Sequence, residues 1–209
     1  MTVAPGVVEI EVADAPDAWR AAGFTVADDC AHVGSIAIRL VGRSERVKGI
    51  RSWTWSDLSS DCPIDGLPTH TALRSAVTPG AHANGSTIID HVVVVTPDLE
   101  RTVPEFESRG LDVRRTRHTN QYGPAFRQVF FRGGETIIEL IGPDSPADGD
   151  DRAAHFYGLA FTVANLDAVA RELGDGIGSI KDAVQDGRRI ATLRHTTYDI
   201  SVPIALMSA

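Results

Sequence analysis

The sequence predicts an α+β protein: paired βαβββ units forming a cupped mixed sheet, preceded by a reduced amino-terminal βα unit. Two observations carry this. Residues 88 to 110 (IIDHVVVVTPDLERTVPEFESRG) and 155 to 174 (HFYGLAFTVANLDAVARELG) share one order, an apolar strand, a short polar cap and a helix ending in glycine. Each is then followed by three β patterns: LDVRRTRH, AFRQVFF and ETIIELIG in the first, SIKDAVQ, RRIATLRH and ISVPIALM in the second.

From the amino terminus, VVEIEV alternates as a strand and DAPDAWRAAG reads as a short helix bracketed by Asp14 and Gly23. TVADD, AHVG and SIAIRLVG read as three further extended pieces. Residues 1–48 are therefore expected to be a reduced copy of the unit. Residues 49–86 hold one strand, GIRSWTW, and a stretch punctuated by proline and glycine that reads as connection, wrapping the surface or serving as a lid. The alternation of Trp53 and Trp55 onto one face suits packing. The unit at 87–145 opens on a strand whose alternation places His91, Val93 and Val95 on one face and Val92 and Val94 on the other. Its helix is expected to be capped by Thr96, with Pro97 at the first position, Leu99, Val103 and Phe106 on the buried face, and Pro104 bending or shortening it. A hairpin turn at Gly133 and Gly134 places Gln128 opposite Glu139, Phe130 opposite Ile137 and Phe126 opposite Ile141. In the unit at 153–209, Asn165 is the cap, Leu166, Val169, Ala170 and Leu173 form the stripe, and Gly174 is the stop.

Composition bounds the function. The chain has 209 residues, 43% hydrophobic and 23% charged, which is ordinary for a folded domain. A net charge of -8 argues against a nucleic-acid partner, which needs a basic face to displace counterions. The longest apolar runs fall far short of the roughly 20 residues of a membrane span. The start MTVAPGVVEIEV lacks a basic segment leading into an apolar one, so a cytoplasmic protein acting on a small molecule is expected. Cys30 and Cys62 lack motif spacing and read as free thiols.

Glu139 is the most informative residue. A carboxylate in the middle of an apolar strand needs a metal, a cation or several hydrogen-bond donors to be buried. One solution is a divalent ion (Fe, Mn, Ni or Zn) on His91 and Glu139, with Gln128 nearby. The others are a solvent-exposed strand face, or an ion pair with Arg114, Arg115, Arg117 or Arg127. The RRTRH run at 114–118 reads as a charged edge strand or as an anion clamp. His118, Tyr122, His195 and Tyr198 lie near turns and read first as solvated. His32, His70 and His82 carry no interpretable signal.

The paired units, with IDHVVV opening and PDLE following, and IIELIGP closing, resemble the vicinal oxygen chelate superfamily of glyoxalase I, methylmalonyl-CoA epimerase, extradiol dioxygenases and bleomycin-binding proteins. The resemblance covers residues 88 to 208 well and residues 6 to 42 weakly. It implies a divalent metal on His91 and Glu139 within the cup, Glu139 as catalytic residue, and isomerase, lyase or dioxygenase chemistry. Aligning Asp98 with Asn165 puts Gly158 in the place of His91, and aligning IELI with IALM puts Ala205 in the place of Glu139. In the first copy Val7 and Arg39 stand there, Arg39 as a countercharge. Three functions follow: an enzyme, metal-assisted or metal-free; a metal-free binding protein whose pocket is lined by Val93, Phe126, Gln128, Phe130, Ile137 and Glu139; or a degenerate scaffold forming a homodimer.

Overall fold

The computed structural model describes residues 4–74, 78–119, 125–147 and 149–209. The first sheet is built from β1 (Gly6–Val12), β2 (Cys30–Val33), β3 (Ile36–Leu40), β4 (Ile50–Ser56) and β5 (Thr69–Thr71), with α1 (Pro16–Ala21) after β1. The second contains β6 (Ser86–Val95), α2 (Leu99–Glu107), β7 (Val113–Thr119), β8 (Phe126–Gly133) and β9 (Thr136–Pro143). It continues through β10 (His155–Val163), α3 (Leu166–Leu173), β11 (Lys181–Asp182), β12 (Arg189–Thr192) and β13 (Ile204–Ser208). No helix among the described residues is long and apolar enough to cross a membrane.

The eight-stranded order is β11-β12-β13-β10-β6-β9-β8-β7. In each unit the opening strand lies parallel to the closing one, β6 beside β9 and β10 beside β13. The antiparallel ladder of β6 with β10 joins the units. This is the predicted paired arrangement.

The amino-terminal half differs from its expectation in an informative way. Only two strands follow α1, because the TVADD piece makes no more than a bridge from Ala27 to Cys30. The expected strand GIRSWTW forms β4, antiparallel to β1, and the stretch read as connection supplies β5, parallel to β4. With β3 parallel to β1, the order β2-β3-β1-β4-β5 repeats the centre of the larger sheet in abbreviated form. Residues 6–71 are thus a shortened pair of units.

Local chemistry sets the helix starts. Asp98, not Thr96, caps α2, accepting from the Arg101 amide at 3.1 Å. Thr96 accepts instead from the Asp98 amide at 3.1 Å and so shapes the turn before the cap. Asn165 caps α3 as predicted, accepting from the Ala168 amide at 3.0 Å. The N-cap of α1 is Ala15, followed by Pro16. Asp14 is turned inward, accepting from Trp19 Nε1 at 3.2 Å and from the Ser201 amide at 3.0 Å. This buried carboxylate ties the first sheet to the approach to β13.

Val92, Val94, Ile138 and Leu140 form the apolar back of the second sheet, where Leu99 and Phe106 of α2 join them in one core. Phe106 stacks on Phe131 at 4.7 Å and meets the Trp53 ring at 6.1 Å, nearly edge-on. Trp53 and Trp55 are both fully buried, so the first sheet packs on this same back. The opposite face is left for the cup. Phe106→Ala should cost about 3 to 5 kcal/mol in urea denaturation, and a loss below about 1 kcal/mol would show that the helix face is not part of the core.

Candidate functional site

The β8–β9 hairpin sets the first part of the site. Its turn is Gly134–Glu135, since Gly133 still pairs with Thr136. Gly134 takes a φ of +73°, the left-handed value a two-residue turn needs at its first position. Gly133 answers a different demand: a Cβ there would sit 3.0 Å from the Trp55 ring. The expected register is therefore corrected by one rung. Phe130 faces Glu139, Gln128 faces Ile141 and Phe126 faces Pro143. A slip of two residues keeps every side chain on its own face. Gln128 remains beside Glu139 diagonally, and its Nε2 donates to Glu139 Oε1.

A β-bulge sets the second part. Ala160 pairs with His91 and Phe161 with Ile89, leaving Asp90 as the extra residue. Neighbours in sequence thereby come together: Asp90 Oδ1 lies 3.1 Å from His91 Nδ1. Asp90 Oδ2 is 2.7 Å from Arg188 Nη2 and accepts from Thr162 Oγ1 at 2.8 Å. Burial alone would raise the Asp90 carboxyl, but the hydrogen bonds from His91, Arg188 and Thr162 override it and hold the group well below the usual carboxylate range. On the other side of the ring, His91 Nε2 is 3.3 Å from Glu139 Oε2. One line of contacts thus runs from Arg188 through Asp90, His91, Glu139 and Gln128 to Arg117, whose Nη1 donates to Gln128 Oε1 at 3.2 Å.

His91, Gln128, Phe130, Ile137 and Glu139 line a cavity of about 570 Å³. The second unit closes it with Val184, Gln185, Ile190 and Met207 among others, and Arg114, Arg115, Arg117 and Arg132 form the remaining wall. Val93 and Phe126 fall outside the lining. Phe126 lies four residues before Phe130 on β8, opposite Pro143, while Val93 pairs with Glu139 on one side and with Gly158 on the other without reaching the cavity. Arg39 is no countercharge for Glu139, since it pairs with Glu9 at 2.8 Å in the other sheet. His118 bonds Asp144 at 3.0 Å and His195 bonds the Ile200 carbonyl at 2.8 Å, and neither they nor Tyr198 line the cavity. Tyr122 lies outside the described residues. Glu139 has no arginine partner among the described residues; its compensation is His91 and Gln128.

Two donors, His91 Nε2 and Glu139, are what this cup offers a divalent ion. Gln128 turns its amide nitrogen toward Glu139 and commits its oxygen to Arg117. The matching positions of the second unit are closed, because Ala205 has no donor and a Cβ on Gly158 would stand 2.6 Å from the Pro203 carbonyl oxygen. Among the described residues no group of three or more His, Cys, Asp or Glu side chains is arranged to hold a metal. This donor set does not fit the four to six ligands that Fe, Mn, Ni or Zn requires. Asp90 and Arg188 were not singled out from the sequence. The available signal was the one that pointed to Glu139, an acid inside an apolar strand.

Comparison with known proteins places this geometry in context. The sequence model of a family described as a glyoxalase-like domain matches residues 89–201. A mutant of 4-hydroxymandelate synthase from Streptomyces coelicolor is similar in fold over 97% of this chain and 92% of that chain, with a TM-score of 0.67 and 14% identity. A xylose isomerase-like TIM barrel/4-hydroxyphenylpyruvate dioxygenase fusion protein matches over 99% of this chain and 49% of that one, with a TM-score of 0.66 and 12% identity. Both likenesses span the two sheets. A curated relative, pantothenate synthetase from Allorhizobium ampelinum, is 24% identical over 110 residues. That match covers 53% of this chain and 34% of the relative's length.

The Asp90 network makes a stability prediction. Asp90→Asn should lose about 2 kcal/mol at pH 7, the worth of a hydrogen-bonded charge whose partner is left behind. Because the folded carboxyl is depressed, its contribution is complete above the ordinary value near pH 4 and is lost as pH falls through the depressed one. The gap between parent and variant in urea denaturation should therefore narrow on acidification. A gap that is absent at pH 7, or that widens toward acid, would contradict the network.

Proposed function

Since the chain belongs to the glyoxalase-like domain family of the vicinal oxygen chelate superfamily, we propose that it is an enzyme of isomerase or lyase type. In this reading the His91–Glu139 pair moves a proton on a small oxygen-bearing organic molecule held in the cup. The supporting observation is the 3.3 Å contact of His91 Nε2 with Glu139 Oε2 at the cavity wall, with Asp90 fixed behind the ring. Asp90 accepts the Nδ1 proton and so aims Nε2 at Glu139. One proton between Nε2 and Oε2 then makes one group the acid and the other the base. Glu139 takes a proton from the carbon next to a carbonyl. The C–H electron pair moves into the new C=C bond, and the carbonyl oxygen takes up negative charge beside the Nε2 proton of His91. On a 2-hydroxy carbonyl compound, the enolate oxygen takes the Nε2 proton, Glu139 returns its proton to the former carbonyl carbon and the adjacent hydroxyl gives its proton back to His91, which completes an isomerisation. Gln128 and Arg117 keep the carboxylate oriented, and Phe130, Ile137, Ile190 and Met207 keep water from the reacting carbon.

The same apolar residues favour a second reading, a metal-free binding protein. Deuterium uptake separates the two. A panel of small 2-oxo and 2-hydroxy compounds in deuterated buffer, followed by proton NMR, should show exchange with the parent, falling by about a hundredfold or more in Glu139→Gln and His91→Gln. Equal exchange in the folded variants, or none while the compounds bind, overturns the enzyme reading in favour of binding.

Metal analysis of untagged protein should give well under one Fe, Mn, Ni or Zn per chain, as two protein ligands hold such ions weakly. A stoichiometric ion, lost on Glu139→Gln, would overturn the metal-free mechanism.

A further inference from the structure

The chain carries a net charge of -8, yet one wall of its cavity is built of arginine. Elsewhere arginines meet carboxylates: Arg39 with Glu9, Arg101 with Asp65, Arg127 with Glu100, Arg189 with Asp167. Arg114, Arg115 and Arg132 have no carboxylate within ion-pair distance among the described residues, and Arg117 bonds an amide. Glu139, the one acid in the lining, is already engaged by Gln128 and His91.

The backbone brings these exposed side chains together at the rim of the cavity. The β7–β8 ladder passes from Val113 opposite Phe131 to Arg115 opposite Phe130, so Arg114 is the extra residue of a bulge. Arg114 and Arg115, adjacent in sequence, accordingly both line the cavity. Arg132 lies opposite Ile137, which in turn lies opposite His91. Arginine on an edge strand to prevent pairing needs no cavity to face. Three exposed guanidinium groups without a carboxylate partner among the described residues, set around one open cavity, can take an anion together, since their forks match carboxylate or phosphate oxygens in pairs.

We propose that the cavity takes an amphipathic organic anion, its carboxylate or phosphate held by Arg114, Arg115 and Arg132 and its apolar body over Phe130. This deepens the reading of the site as the place where His91 and Glu139 act, and rests on that reading for the role of the far end of the ligand. The spacing follows from the sheet: Arg132 on β8 lies two strands from His91 on β6, and Arg115 on β7 two strands from Glu139 on β9, about 10 Å at the backbone. The oxygen-bearing carbon and the anionic group are therefore at opposite ends of the molecule.

Titration calorimetry of the full chain with phenyl phosphate, phenylacetate and neutral 2-phenylethanol tests this. At least one anion should bind about tenfold or more tighter than the alcohol, with a preference that shrinks as sodium chloride is raised. The better of the two anions identifies a phosphate ester or a carboxylic acid as the ligand class. The double variant Arg115→Met, Arg132→Met should abolish the preference, Lys at both positions should restore part of it, and Glu139→Gln should bind the anion at least as well as the parent. Equal affinity for the alcohol, no binding of either anion, or an anion preference that survives the double variant overturns the proposal. Anion preference without deuterium exchange removes the acid–base reading alone, whereas exchange on neutral compounds that ignores the arginine variants removes this one alone.

Discussion

The antiparallel ladder between β6 and β10 is the contact on which the molecule turns. It fuses two units that each close their own opening strand against their last, and so makes one cup from two half-sheets. An ideal ladder would have sent Asp90 to the back with the core. The bulge at Asp90 puts that residue beside His91 instead, under the reach of Thr162 on β10 and Arg188 before β12. A buried carboxylate without those three donors would cost several kcal/mol. The two units thus cooperate in the chemistry although the first alone supplies the imidazole and the second carboxylate.

Much of this was legible in the residues, and the gaps have physical causes. Strand alternation put His91, Gln128 and Glu139 on one face, because a period of two survives any slip by a whole rung. The rung itself was misread because GG offers two turns, and what chose between them was the Trp55 ring pressing on Gly133 from another sheet. Asp90 is not legible in this way, because its bulge breaks the period of two on which strand alternation depends. The strand at Thr69–Thr71 escaped because three residues between prolines and glycines carry no periodicity; only the neighbouring β4 gives it a place. In TPD, threonine and aspartate are both good caps two positions apart, and the geometry of the turn selected Asp98.

The first sheet bears on the site without touching it. Its tryptophans pack on the back of the second sheet, and Arg101 of α2 holds Asp65 of the β4–β5 connection with a two-pronged pair at 2.9 and 3.2 Å. Thr102 donates to the same carboxylate. Asp14 does similar duty at the other end, through Ser201. The sheet that carries His91 and Glu139 is therefore supported from behind through α2 and the approach to β13, which is what a site needs if its groups are to keep their distances while a ligand enters.

Gly158 limits the ways in which such a cup can change. With the Pro203 carbonyl 2.6 Å from where a Cβ would stand, no single replacement at 158 can install a ligand; the chain around 203 would have to withdraw first, and 205 would need a donor as well. The backbone around Pro203 fills the room that a side chain at 158 would need, so variation in this cup is open chiefly on the polar half, by exchange of the arginines of β7 and β8, whereas a symmetric four-ligand centre lies several concerted changes away.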